Sequence, residues 1–371
     1  MTVEEISNST LEDLQYLVDL IREGKKEGQN KITPVISNAF RIEQIFREDD
    51  EIVDSLQMNR AAIFYDEVYT IDHHLAKKWA TITKYPLSDS YSWARVAQYL
   101  QVDRKKVPIP GTEYLRFLKR RLLAMARNKK GYEEKVRQLE EWMDELSFSH
   151  IATDLDYPTY RPDRADREDP LLLLAKLPLP VYITTSYSNF LERALLKTGK
   201  RPSTQICFFT EKSRKGISNY LPDGNYVPDV TRPVVYHLFG MEDYRPSMVL
   251  SEDDYLDFLM RVDSVIGSQK DYPTDLSLAF SDSSLILLGY SLRDWDFRTL
   301  FRLILKARQE QQPSIAIQFK PELGQKDYEM SAFNYLKRYF ENQKFEIRWS
   351  RADKFVYELW DACVKAKIVS P

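Results

Sequence analysis

Two cysteines in 371 residues, Cys207 and Cys363, are too few for a disulfide framework, and neither sits in a CxxC pair. A four-cysteine zinc site is excluded outright, and such sparing use of thiols fits a reducing cytoplasm, the expected location. No apolar run approaches the roughly 18 residues that a membrane-spanning helix needs. The amino terminus, MTVEEISNSTLEDL, is acidic where a secretion signal would be basic and then apolar. Neither a membrane partner nor secretion by that route is expected. Charge of one sign is missing as well: 53 Lys and Arg stand against 56 Asp and Glu, a net charge of -3. That balance removes any global pull toward nucleic acid, so no direct nucleic-acid partner is expected. What remains is a chain with 43% hydrophobic and 13% aromatic content, enough to bury one large core or two modest ones.

The pattern centres on residues 283–305, SSLILLGYSLRDWDFRTLFRLIL. Leu285 to Leu288 form an unalternating apolar run, the mark of a strand covered on both faces. Gly289 ends it, and Ser291, Arg293, Asp294 and Asp296 follow at the strand's carboxyl end, where open parallel sheets hold their ligands. Phe297, Leu300, Phe301 and Ile304 then recur at helical spacing, so a helix returns along the sheet. A plainer reading has Asp294 capping that helix and Ser291 making the turn.

Taken in order, residues 1–30 read as an N-terminal helical arm, with Leu11, Leu14, Leu17, Val18 and Ile21 on one face and a cap at Ser9 or Thr10. Residues 31–50 hold a first strand, at 31–37, and its turn Ser37, Asn38, Ala39, which lacks the glycines of a phosphate loop. Residues 51–165 form a helical insertion subdomain, with helices expected at 66–83, 92–102, 112–128 and 132–146. His73 and His74, adjacent on one helix, point about 100 degrees apart and cannot share a metal. The basic run from Arg116 to Lys130 reads as a solvated helix face. From 166 to 371 strands and helices alternate: strands at 181–184, 205–208, 234–238, 285–288, 315–319 and 345–349, with helices at 188–197, 252–266, 294–307, 327–341 and 353–368. The expected fold is α/β, a Rossmann-like doubly wound, mostly parallel sheet of about six to seven strands with a helical insertion.

Three strand exits collect polar side chains: Thr184 to Asn189, then His237 to Asp243, then Ser291 to Asp294. In a parallel sheet these exits share one rim and can converge on a single crevice, which suits a nucleotide or other phosphate-bearing ligand.

At these exits the chain resembles a known family. PVYITTSYSNFLERAL resembles the Tyr-Ile-Thr-Thr-Asn-Tyr-Asp motif of bacterial sirtuin-like NAD-consuming proteins, VYHLFG their Leu-His-Gly segment, and LLGYSLRDWDFR their Gly-Tyr-Ser motif. PVISNAF stands where they carry a Gly-Ala-Gly loop. The resemblance implies an NAD-binding domain that hydrolyses NAD to ADP-ribose and nicotinamide in anti-phage defence, acting as a homo-oligomer with a phage trigger or partner defence protein. By position it assigns NAD contacts to Ser37, Asn38, Ala39, Thr184, Thr185, Gly240, Gly289, Ser291 and Asp294; no metal is expected, since no Cys and His cluster has ligand spacing. Two family groups are replaced: the active-site Asn by Ser186, and the catalytic His by Phe239. The motif's Asp gives way to Ser188. His237, two residues before Phe239, is expected to share its face and so to supply the imidazole, with Ser186 and Asn189 beside it. Two readings stay open: a weak or conditional hydrolase, and a silent nucleotide-binding sensor or assembly module in which His237 is a core histidine and Asn189 a helix-start residue.

Overall fold

The computed structural model describes residues 3–49, 70–103, 110–160, 168–207, 220, 226–265, 274–292, 294–307, 313–318, 329–342 and 344–370. Its centre is a seven-stranded sheet whose described strand pairs are all parallel. The strands are β1 (Ile32–Ile36), β2 (Val181–Thr184), β3 (Ser203–Ile206), β4 (Val234–His237), β5 (Ser284–Tyr290), β6 (Ser314–Gln318) and β7 (Phe345–Trp349). They run in the order β3-β4-β2-β1-β5-β6-β7. The chain starts in the middle, adds β2 beside β1, lays β3 at the edge and fills the gap with β4, then returns to lay β5 on the other side of β1. β1 and β5 therefore flank the point where the winding reverses. In such sheets the crevice opens there, beyond the carboxyl ends of the strands.

All seven residues of β5, SLILLGY, are buried, as are all five of β1, ITPVI. A strand covered on both faces has no polar face to alternate with, which is why both read as apolar runs. The helices that cover the sheet pair their apolar stripes with it: α2 (Asn38–Ile45) behind β1, α9 (Phe190–Lys197) behind β2 and α12 (Trp295–Ala307) behind β5. Leu300, Phe301 and Ile304 of α12 are buried. α1 (Val3–Glu27) is not a loose arm, since Leu17, Val18 and Ile21 are buried and it packs along α14 (Ala352–Lys365). It begins at Val3, so Ser9 and Thr10 lie inside the helix and do not cap it.

After α2 come five described helices: α3 (Ile71–Thr83), α4 (Trp93–Asp103), α5 (Pro110–Arg127), α6 (Glu133–Glu141) and α7 (Phe148–Asp154). Then α8 (Pro170–Lys176) leads into β2. One continuous hydrophobic core runs through these helices and the sheet together, with Trp79, Tyr114 and Phe148 among its largest members. The helix expected at 66–83 begins later: Thr70 is extended (φ -80, ψ 174) and caps α3, while 66–69 lie outside the described residues. Nor is the basic run of α5 wholly solvated. Lys119 is buried with its Nζ on the carbonyls of Met143 and Leu146, and the Arg121 guanidinium pairs with buried Asp49.

Beyond β4 lie α10 (Glu252–Val265) and α11 (Thr274–Asp282); α13 (Glu329–Glu341) precedes β7. The expectations missed α7 and α11, whose stripes are short. Among the described residues no helix is long and apolar enough to cross a membrane.

Candidate functional site

The rim at the switch point is knitted by the polar residues that leave the strands. Ser37 caps α2: its hydroxyl accepts the Phe40 N–H at 3.0 Å and donates to the Gly289 carbonyl at 2.6 Å. Thr184 donates its hydroxyl to Ile36 O at 2.9 Å and accepts the Ser186 N–H at 3.0 Å. Gly289 (φ +80) lets the β5 exit lie against this turn, since a Cβ there would stand 2.7 Å from Ser37 Oγ and 2.9 Å from Phe40 Cβ. Gly240 (φ +81) does the same for the β4 exit, where a Cβ would meet the Ser247 carbonyl oxygen at 2.2 Å. Ser37, Thr184, Gly240 and Gly289 thus hold the backbone of the rim and do not line its cavity.

The cavity lies above these turns and measures about 60 Å³. At ~10–15 Å³ per water that is room for a few water molecules, far below the ~300–1,000 Å³ of pockets that enclose drug-sized ligands. Of the residues expected to bind a ligand, Asn38, Ala39, Thr185 and Asp294 line it. Two runs of aromatic rings form much of its wall. In one, Trp93 meets Tyr114 edge-on at 4.9 Å and Tyr114 meets Tyr187 at 5.7 Å. In the other, Phe239 meets Tyr255 at 5.3 Å and Tyr255 stacks on Trp295 at 6.1 Å. The polar ends are tied back, Asn38 Nδ2 donating to Tyr114 Oη at 2.8 Å and Tyr187 Oη to Val249 O at 2.6 Å. The rings accordingly present their faces and edges with little freedom to turn.

Three carboxylates, Asp72, Asp294 and Asp296, and one imidazole, His73, share this wall. Among the described residues lining the cavity there is no Lys or Arg. His73 Nε2 donates to Asp294 Oδ1 at 2.8 Å, and Nδ1 lies 2.8 Å from Thr70 Oγ1. Burial pulls the His73 imidazole down, but the charge and hydrogen bond of Asp294, with the charges of Asp72 and Glu43, outweigh it and raise it to about 9. Nδ1 also accepts the Thr70 N–H at 3.1 Å, which closes a capping box at the start of α3. Burial also raises the Asp72 carboxyl to about 7, against the pull of the His73 charge and with the push of Asp294 and Glu43. Asp296 is driven well above the usual carboxylate range, first by burial and then by Asp294. The cavity can accept a cationic or proton-donating group, and its rings offer faces to a flat one.

His237 is elsewhere, which corrects the expectation that its imidazole faces the crevice. It is fully buried, with Nδ1–H donating to Ser186 O at 2.8 Å and Nε2–H to Glu192 Oε1 at 2.7 Å. The reason is local. β4 ends at His237, so the two-residue alternation does not carry on to Phe239, and it is Phe239 that lines the cavity. Ser186 and Asn189 do not line it either. The Asn189 carboxamide accepts from Ser149 Oγ at 2.7 Å, and the residue precedes α9, which starts at Phe190 where 188 was expected. Ser291 gives its carbonyl to the Asp294 N–H at 3.1 Å and stays off the cavity wall. Glu242 instead caps α7, accepting the Phe148 N–H at 2.6 Å. Arg293 lies outside the described residues.

Asp72 and His73 went unrecognised because the helix was expected to run through them. A signal was present: Thr70 is a favoured N-cap, followed by an acidic residue in the first turn. The Thr70 hydroxyl does accept from His73 N. A first turn is where side chains project past a helix end, and here they project into the crevice.

Residues 180–345 match the SIR2-like domain. No curated protein matches the chain. The SIR2-like match runs from the start of β2 to the first residue of β7 and suggests an NAD-related function. Thr185, Tyr187, Phe239, Tyr255, Asp294, Trp295 and Asp296 fall inside it; Asn38, Asp72, His73, Trp93 and Tyr114 fall outside. About half of the cavity wall thus comes from the SIR2-like part and half from the helices between β1 and β2. Among the described residues no group of three or more His, Cys, Asp or Glu side chains could hold a metal ion.

Proposed function

We propose that the protein binds NAD at the switch point of its sheet and hydrolyses it to ADP-ribose and nicotinamide. The observation that carries this reading is the cavity wall of aromatic rings and carboxylates at the strand exits of a SIR2-like domain. The nicotinamide ring of NAD is flat and cationic. Aromatic faces attract such a ring by about 0.5–2 kcal/mol each, more when water is excluded. When the glycosidic bond breaks, positive charge moves from the ring to the ribose, and fixed carboxylates stabilise it there. Asp294, with Asp72 where it is ionised, supplies that field, while Asp296, whose carboxyl burial drives well above the usual range, offers a proton; the want of Lys or Arg among the described residues of the wall suits this end of the molecule better than its phosphates. Thr185 and Asn38 offer hydrogen bonds to ribose hydroxyls or the carboxamide.

The setting follows from the sequence resemblance: an effector of bacterial anti-phage defence, acting as a homo-oligomer in the cytoplasm and released by a phage trigger or partner protein. A second reading, a silent NAD-binding sensor, is favoured by Ser186 and Phe239, which stand where the resembled motifs carry Asn and His; in either reading the rings must part, because 60 Å³ admits no dinucleotide. Incubating purified protein with NAD and separating the products by chromatography decides between them. Release of equal amounts of nicotinamide and ADP-ribose supports the hydrolase; binding by calorimetry without products supports the sensor; neither binding nor products rejects both.

A further inference from the structure

The Asp72 carboxyl has one oxygen engaged and the other without a partner. It is buried, with 6% exposure, and its Oδ2 accepts the Trp93 indole N–H at 2.9 Å. Its Oδ1 is buried with no hydrogen-bond partner. Leaving a buried carboxyl oxygen without a donor is costly, and folds retain such an oxygen where a ligand or reacting group supplies the donor. The backbone at Asp72 is also fixed, because its N–H donates to buried Glu43 Oε1 at 2.9 Å. The carboxylate cannot swing out to solvent, and it stands on the cavity wall.

We infer that Asp72 is the general base of this site and His73 its positioning residue, so that the first turn of α3 supplies the groups that accept the proton from the attacking water. This rests on the NAD-hydrolase reading above. In the reaction the bond from C1′ to the nicotinamide nitrogen breaks with its electron pair going to the ring. The water oxygen bonds to C1′, and the water's proton passes to Asp72 Oδ1 and then to solvent. Nothing is oxidised or reduced. A water donating to Oδ1 satisfies the open oxygen, while Trp93 prevents rotation of the carboxylate. His73, clamped between Asp294 and Thr70, stands next to Asp72, and when it is protonated its charge favours the ionised form of Asp72. The titratable groups facing Asp72 are Glu43 from α2, His73 on its own helix, Asp294 and Asp296 at the start of α12, and the hydroxyls of Tyr114 and Tyr187. An acid poised at about 7 has the strength a base needs near neutrality.

The experiment is nicotinamide release from NAD between pH 5 and 9 by the full chain and by Asp72→Asn and His73→Asn. Asp72→Asn keeps an acceptor for the Trp93 indole, so the fold is retained, and a thermal melt checks this. The expected result is a wild-type rate that climbs as pH rises through about 7. Asp72→Asn should lose roughly 10²–10⁴-fold. In His73→Asn the climb should move to higher pH, because the charge that favours ionised Asp72 is gone; a merely structural histidine would lower the rate without moving the profile. Asp72→Asn as fast as the wild type overturns the inference and leaves the hydrolase reading standing. A wild type that releases no nicotinamide overturns both.

Discussion

The protein holds two buried histidine–carboxylate pairs of nearly equal length, His73–Asp294 at 2.8 Å and His237–Glu192 at 2.7 Å, and they sit in different surroundings. Around His237 every contact closes inward. Its second nitrogen meets a backbone carbonyl, Glu192 also receives the Thr204 hydroxyl at 3.1 Å, and the histidine has no exposed surface. Around His73 the neighbours border the cavity, with Asp72, Asp294 and Asp296 on its wall; each site also holds one buried carboxylate oxygen without a partner, Asp72 Oδ1 here and Glu192 Oε2 beside His237. His237 and Glu192 tie β4 to α9, whereas His73 and Asp294, the latter within the LLGYSLRDWDFR stretch, face the crevice. What separates the two pairs is the cavity that one of them borders.

The largest expected effect of a substitution is on the inner pair. His237→Ala leaves the Glu192 carboxylate buried without its cation, and breaking a buried pair in this way costs about 3–5 kcal/mol. A denaturant melt near neutral pH should show that loss; an unchanged midpoint would mean the pair does not brace the sheet.

At the outer site, removing charge should stabilise. The Asp72 carboxyl is raised from 3.8 to about 7, so its contribution to stability is fully present below 3.8 and lost as pH rises through 7, where the fold must hold an ionised group. Asp72→Asn removes that penalty, so near pH 8 the variant should be more stable than the wild type by roughly 1–3 kcal/mol, with little difference near pH 4. Activity and stability then move in opposite directions, as expected of a strained functional group. Equal stability of the two proteins at both pH values would show that Asp72 ionises without cost.

The smallest effect belongs to His73. Its pKa is raised from 6.5 to about 9, so the stabilisation by Asp294 is complete below 6.5 and fades as pH rises through 9. Comparing melting temperatures of the wild type and His73→Asn at pH 6 and pH 10 should show a gap that closes at the higher pH. A gap that persists would place the stabilisation in packing.

Much of the sheet is legible in the sequence, and the reason is burial on both faces. β2 and β7 coincide with the expected 181–184 and 345–349, and β5 extends the expected 285–288 at both ends. Apolar runs of that kind have few other interpretations once helices alternate with them. α7, with seven residues, and α11, with nine, are too short for the period of 3.6 to stand out. Of the site, the strand exits are legible because an open parallel sheet has one place for ligands, and Thr185 and Asp294 come from them. The other half is not. His73 meets Asp294 across 221 residues of chain, and no periodicity reports how a helix between β1 and β2 docks on the rim. His237 was misplaced by applying strand alternation one turn beyond the strand's end.

Nicotinamide release from NAD at pH 7.5, measured per folded molecule for the wild type, His73→Asn and His237→Asn, tests most directly the claim that the cavity and not the inner pair does the chemistry. The account predicts release by the wild type, a steep fall for His73→Asn, and a rate close to wild type for whatever fraction of His237→Asn remains folded. Full activity in His73→Asn with none in folded His237→Asn would contradict it.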